Sequence, residues 1–202
     1  MEIELTKEVV QKLMEIKGEA RGVTLKIDCD YILKEKGEEG LRKLEEEVEK
    51  LGYPIKYKEI SAMAFYPVGL RALSLLAIKK VFNFDDEKIK EIGFFGTRVS
   101  IILKFFIRYA FSLPLVFKKE TKRMWREHWT VGEMTPVELN EEKKYAILRL
   151  KDFNLHPIYC PYLRGYLTGL FSMMVKSPKI TCEETKCVFR GDQYHEYLIK
   201  WK

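Results

Sequence analysis

Three of the four cysteines and one of the three histidines of this 202-residue chain lie between Tyr159 and Lys202. They occur as Cys160, then Cys182-Glu-Glu-Thr-Lys-Cys187, then Gly191-Asp-Gln-Tyr-His195 ahead of a last hydrophobic stretch. Thiolate, imidazole and carboxylate are the groups that ligate zinc in a closed tetrahedral site. A tail that gathers them constrains the fold, because a helix start and a terminal hairpin must then meet at one point. Four cysteines in a chain without secretory features point to metal ligation or inert thiols rather than disulfides.

The pattern around these residues supplies the elements. Val131 to Leu139 alternates and reads as a strand, Asn140-Glu-Glu-Lys as a turn, and Tyr145 to Leu150 as its hairpin partner. His156-Pro157 breaks the strand and starts a helix over about 157–175, on which Gly165 and Gly169 suit close packing. Strands at about 178–186 and 193–201, joined near Arg190-Gly191-Asp192, complete a β-β-α-β-β unit. Alternation along a strand puts Cys182 and Glu184 on one face. A hairpin delivering Glu184, Cys187 and His195, completed by Cys160 from the facing helix, makes four ligands of the right types. Cys182 is the rival to Glu184, since thiolate outranks carboxylate for zinc, and His156 is the next rival. Read singly, each cysteine is a small buried hydrophobe and Glu184 a solvated turn residue.

The preceding half is expected to be mainly helical. Residues 5–18 are amphipathic, and Gly22-Val-Thr-Leu-Lys-Ile is β-branched and alternating, so a short strand or an extended entry segment is expected there. Tyr31 to Leu51 is helical with breaks near Gly37 and Gly40, and its Glu/Lys-dense part is a solvated face. Pro67 opens a helix over about 67–82, Asp85-Asp86 caps one ending at Gly96, an apolar helix follows over 97–112, and a basic helix covers about 115–127. That last helix is expected to bury Met124 and Trp125 and leave its lysines in water. The fold class is therefore α+β: a helical region, 1–126, packed on an antiparallel-sheet core, 127–202, with a zinc-clamped terminal hairpin, the whole forming a single domain.

Cys160…Gly165…Gly169…Glu184-Thr-Lys-Cys187…Gly191-Asp-Gln-Tyr-His195 resembles the signature of the 4-vinyl-reductase-type ligand-binding domain. That family belongs to a superfamily with haem-nitric-oxide sensor domains and Golgi transport-particle subunits. The resemblance covers roughly 127–202, and residues 60–126 share only its general layout. It implies zinc on Cys160, Glu184 and Cys187, with His195 standing where the family has a last cysteine. It implies a small hydrophobic ligand held between the helices and the sheet, for which Phe94, Phe105, Phe106, Tyr109, Trp125 and Trp129 are the candidates, and it implies a homodimer.

Other classes find less support. Four protein ligands leave a metal no open position, so its role is structural. No Ser-His-Asp set, Walker loop or dinucleotide glycine motif is present, so no catalytic residue is assigned. The reading is of a small-molecule-binding or sensory module; the alternatives are an enzyme or pigment-biosynthesis accessory, or a scaffold holding an acyl chain, with Cys29 its one candidate thiol. Haem would need an axial His and a Tyr-x-Ser-x-Arg pattern, which the sequence lacks. The net charge of +6 is spread without a basic stripe, so direct nucleic-acid binding is not expected. Val99 to Phe117 is interrupted by Lys104, Arg108 and Pro114, so no membrane span is expected. Met1-Glu-Ile-Glu-Leu is acidic where a secretory leader is basic, and the expected location is the cytoplasm. A charged content of 33% with only five Asn and Gln residues suggests a thermophilic source.

Overall fold

A computed structural model describes residues 5–99 and 113–202. Helix α1 (Lys7–Met14) is capped by the Thr6 hydroxyl, which accepts from the Val9 amide at 3.3 Å. Strand β1 (Glu19–Arg21) follows, then the long helix α2 (Val23–Lys50). The expected strand at Gly22–Ile27 is helical instead. Thr24, Leu25, Asp28, Tyr31 and Ile32 are buried on one face at helical spacing, and that burial overrides the β-branched propensity. The break near Gly37 is a kink, at φ 66°, inside α2. Gly40 is buried within the helix and does not interrupt it.

Strand β2 (Phe65–Pro67) pairs antiparallel with β1, a two-stranded ribbon that the sequence pattern did not reveal. Helix α3 (Val68–Phe82) follows directly. Asp85 caps α4 (Asp86–Val99), its Oδ1 accepting from the Lys88 amide at 2.9 Å. Helix α4 runs through Gly96 rather than ending there. The expected apolar helix at 97–112 lies, past Val99, outside the described residues. A helical turn (Leu113–Leu115) and a π-helical segment (Val116–Glu120) lead into α5 (Thr121–Arg126), where Met124 and Trp125 are buried.

The second half is a four-stranded antiparallel sheet in the order β3-β4-β6-β5, from β3 (Glu133–Asn140), β4 (Tyr145–Lys151), β5 (Ile180–Lys186) and β6 (His195–Trp201). Helix α6 (Tyr159–Met174) lies on the face carrying Ala146, Leu148, Leu150, Tyr197 and Ile199, all buried. Its other side meets α4 at backbone contact: a side chain on Gly165 would strike the Lys90 carbonyl, and one on Gly93 the Tyr162 carbonyl. Glycine is required there because the two helix backbones occupy the space a Cβ would take.

A buried ionic network joins α2 to α3. Arg71 and Asp28 are both fully buried and paired. The Ser74 hydroxyl donates to Asp28 Oδ2 at 2.6 Å and the Tyr57 hydroxyl to Ser74 Oγ at 2.8 Å. The Arg71 guanidinium lies 4.7 Å from the Tyr162 ring centre, which ties the network to α6. Burial pushes the Asp28 carboxyl up to about 6, and Arg71 and Ser74 oppose that rise.

Candidate metal centre

Strand β5 carries Glu184 inward and then slips register between Glu184 and Lys186. That irregularity brings Cys187 to the site instead of continuing the ladder. The chain then reverses through a 3₁₀ turn (Val188–Arg190) and Gly191 at φ 95°, a left-handed position suited to glycine. Asp192 fixes the loop, its Oδ2 accepting from the Cys187 amide at 2.8 Å while its own amide donates to the Cys187 carbonyl at 3.2 Å. His195 then opens β6, and Cys160 enters from the first turn of α6.

The ligating atoms of Cys160, Glu184, Cys187 and His195 all lie within 4.8 Å of one another. The Cys160 and Cys187 sulfurs are 3.6 Å apart, close to the edge of about 3.8 Å in a tetrahedron with 2.3 Å zinc–sulfur bonds. His195 Nδ1 and Glu184 Oε1 are 2.8 Å apart, and an ion between them would part them by roughly half an ångström, the edge for 2.0–2.1 Å bonds being about 3.4 Å. His195 Nε2 is 3.0 Å from the Phe153 carbonyl oxygen, which only accepts, so Nε2 carries the proton. With an ion between Nδ1 and Glu184, Nδ1 would turn its lone pair to the ion in place of a proton shared with the carboxylate, the second-shell arrangement typical of a ligating imidazole.

The side chains of His195 and Glu184 are 2% and 6% exposed, so the Glu184 carboxylate has little solvent around it. Burial and then the Glu184 charge push the Cys160 thiol well above its usual range, with Cys187 adding to it. A divalent cation reverses that balance, since it supplies the positive charge that two thiolates and a carboxylate lack. Cys160, Glu184 and Cys187 also line a surface groove of about 370 Å³ with Arg164 and Arg190, which gives an ion a way in.

The rivals lie elsewhere. Cys182 is outside the group of four, and burial pushes its thiol up to about 12. His156 Nδ1 accepts from the Ile158 amide at 3.1 Å and so caps the start of α6. His128 Nδ1 faces the Met124 carbonyl at 3.0 Å and therefore donates to it. Cys29 is buried in α2.

The aromatic candidates separate. Trp125 lines an apolar cavity of about 30 Å³ between α5, the sheet and α6, together with Met124, Met134, Leu148, Leu170 and Met174. Trp129 lines a second cavity of about 20 Å³ beside His128, Tyr162 and Tyr166. Phe94 instead faces an open groove with Asp85, Glu87, Lys88 and Lys90. Phe105, Phe106 and Tyr109 lie outside the described residues. Met134 and Met174 were not singled out from the sequence, and Met124 was expected only as a buried helix residue.

No family model matches the chain, and no curated protein matches it in sequence. Solved structures do match it. An H-NOX protein from S. oneidensis in the Fe(II)NO ligation state is 14% identical, over 90% of this chain and 99% of that one, at a TM-score of 0.67. An oxygen-binding H-NOX domain related to soluble guanylate cyclases is 12% identical over 90% and 92%, at 0.62. An Fe(II) unliganded H-NOX protein from K. algicida is 10% identical over 90% and 96%, at 0.63. At these identities the likeness is one of fold, and it spans nine-tenths of the chain. The chain is folded like an H-NOX domain.

Proposed function

We propose that this protein is a binding domain for a small apolar molecule, its C-terminal hairpin clamped to α6 by one structural zinc. The observation that carries the ligand is the cavity beside Trp125. Its lining is almost wholly apolar, and the Thr121 hydroxyl at its edge already donates to the Phe117 carbonyl at 2.7 Å. Water there would find no partners, and at about 30 Å³ the space admits an apolar guest only as the side chains around it repack. Met124, Met134 and Met174 have flexible thioether chains that can repack around guests of different shape. The clamp rests on Cys160, Glu184, Cys187 and His195, the four zinc-type donors that the described residues bring together here.

Haem, the group implied by the Fe(II) states of the H-NOX structures, does not fit the described residues. The two apolar cavities measure about 30 and 20 Å³, each on the scale of a few water-sized probes at most. His195 lies in the candidate metal cluster, His128 lines only the smaller of these cavities, and His156 lines neither.

Native mass spectrometry, followed by the same sample denatured, tests the proposal. One zinc per chain with an additional noncovalent mass is the expected result, and the native spectrum also counts the chains in the assembly. Titration with a small hydrocarbon should change tryptophan emission saturably, and Met134→Trp, which fills the cavity, should abolish the change. A wild-type titration with no saturable change would overturn the ligand reading, and a metal-free protein the clamp. A stoichiometric Soret band on adding haem would replace both with a haem domain.

A further inference from the structure

The π-helical segment Val116–Glu120 and α5 run on as one helical stretch with two opposite faces. Inward, Val116, Phe117, Met124 and Trp125 are buried and wall the apolar cavity. Outward, Lys118, Lys119, Lys122, Arg123 and Arg126 are exposed. Buried and exposed residues alternate in pairs, the pattern of a helix whose two sides meet different media. Lys122 and Arg126 share Glu133, at 3.0 and 3.5 Å, and Arg123 pairs with Glu120 at 3.4 Å. Lys118 and Lys119 form no ion pair among the described residues. Five cations against the two carboxylates they contact leave this face a net charge of +3.

We propose that this outer face docks the protein on an anionic lipid bilayer, setting the wall of the cavity against the membrane that supplies its apolar guest. The five cations are spread along the stretch and no pocket gathers them onto a single ion, so their complement is an extended anionic surface. The face carries no aromatic side chain on which nucleic-acid bases could stack. An apolar molecule of the kind the cavity takes concentrates in a bilayer, and the helix that would meet the bilayer is the cavity's own wall. The choice of a bilayer therefore rests on the apolar-ligand reading above, while the docking itself is measured without a guest. No helix among the described residues is long and apolar enough to cross a membrane, so the contact is a surface one, held by charge. Each Lys or Arg near an anionic leaflet raises affinity about fivefold. The attraction is screened beyond about 8 Å at physiological salt.

Sedimentation with vesicles of equal parts phosphatidylserine and phosphatidylcholine, and with vesicles of phosphatidylcholine alone, tests it. The wild type should bind the anionic vesicles and leave the zwitterionic ones. It should come off in about 1 M salt, where the screening length falls to about 3 Å. Replacing both Lys118→Gln and Lys119→Gln should weaken binding about 25-fold. Replacing both Lys43→Gln and Lys50→Gln, which removes the same charge from exposed positions on α2, should leave binding unchanged. Equal losses in the two double variants would reduce the effect to net charge and overturn the proposal. So would a wild type that ignores anionic vesicles, or one that binds a duplex oligonucleotide more tightly than it binds them. Vesicle binding without a saturable tryptophan response to hydrocarbon would keep the docking face and overturn the ligand reading alone.

Discussion

The Nε2–H of His195 donates to the Phe153 carbonyl at 3.0 Å, and the ring of Phe153 meets Trp125 and Trp129 edge-on at 5.3 and 5.5 Å. One residue thus touches both the candidate metal centre, through its backbone, and the aromatic wall of the apolar cavity, through its side chain. Trp125 and Trp129 stack on each other at 5.7 Å, and Trp129 continues edge-on to Tyr159 at 5.6 Å. The cluster and the cavity are two ends of one packed aromatic block.

Removing metal should therefore change tryptophan emission. With His195 freed from the ion, the Phe153 carbonyl loses a fixed partner and its ring shifts against Trp125. Chelator treatment should shift the emission maximum reversibly, and Phe153→Leu should shrink that response. An emission spectrum indifferent to metal would show that the block does not transmit the change.

Cys187→Ser or His195→Ala should lower zinc content below one per chain and lower Tm, because binding free energy at such a site is also folding free energy. Metal analysis and thermal melts read both effects. Glu184→Gln should weaken zinc more than Cys182→Ser does, since Cys182 lies outside the group of four. The reverse order would give the fourth position to Cys182.

Gly165→Ala should destabilise the fold by about 2–3 kcal/mol, at the upper end of overpacking effects, because the new methyl meets the Lys90 carbonyl. The obstruction is backbone, which cannot rotate away. Urea unfolding measures the loss, and a stability equal to wild type would mean that α4 and α6 separate easily.

The Asp28–Arg71 pair makes a pH-dependent prediction. The Asp28 carboxyl rises in the fold from 3.8 to about 6, so between those values the folded chain binds more protons than the unfolded one. Stability from this group is therefore present at acid pH and is lost as pH rises through about 6, by roughly 3 kcal/mol at most. The difference between wild-type and Asp28→Asn stability curves should show that slope between pH 4 and 6 and be flat above. Arg71→Met, which leaves a buried carboxylate without its cation, should cost about 3–5 kcal/mol.

Much of the tail was legible in the linear pattern. Strand alternation, the turn at Gly191 and the helix start after Pro157 are local signals, set by backbone preferences within a few residues. They located β3 to β6 and α6 to within a few positions, and they brought Cys160, Glu184, Cys187 and His195 forward as one candidate set. The N-terminal half was less legible where local and tertiary preferences disagree. Val23 to Ile27 has strand propensity yet is helical, because burial on the α2 face outweighs it.

The sequence by itself determined which chemistry the chain carries: the donor types, their order, and the glycines that let two helices touch. Tertiary structure alone decided which donors meet. The register slip after Glu184 brings Cys187 to the site, and Arg71 and Tyr197 become buried polar groups only when distant segments close over them. Neither is a local property. Arg71 is separated from Asp28 by 43 residues, and their pairing arises from packing that excludes water, which no window of sequence encodes.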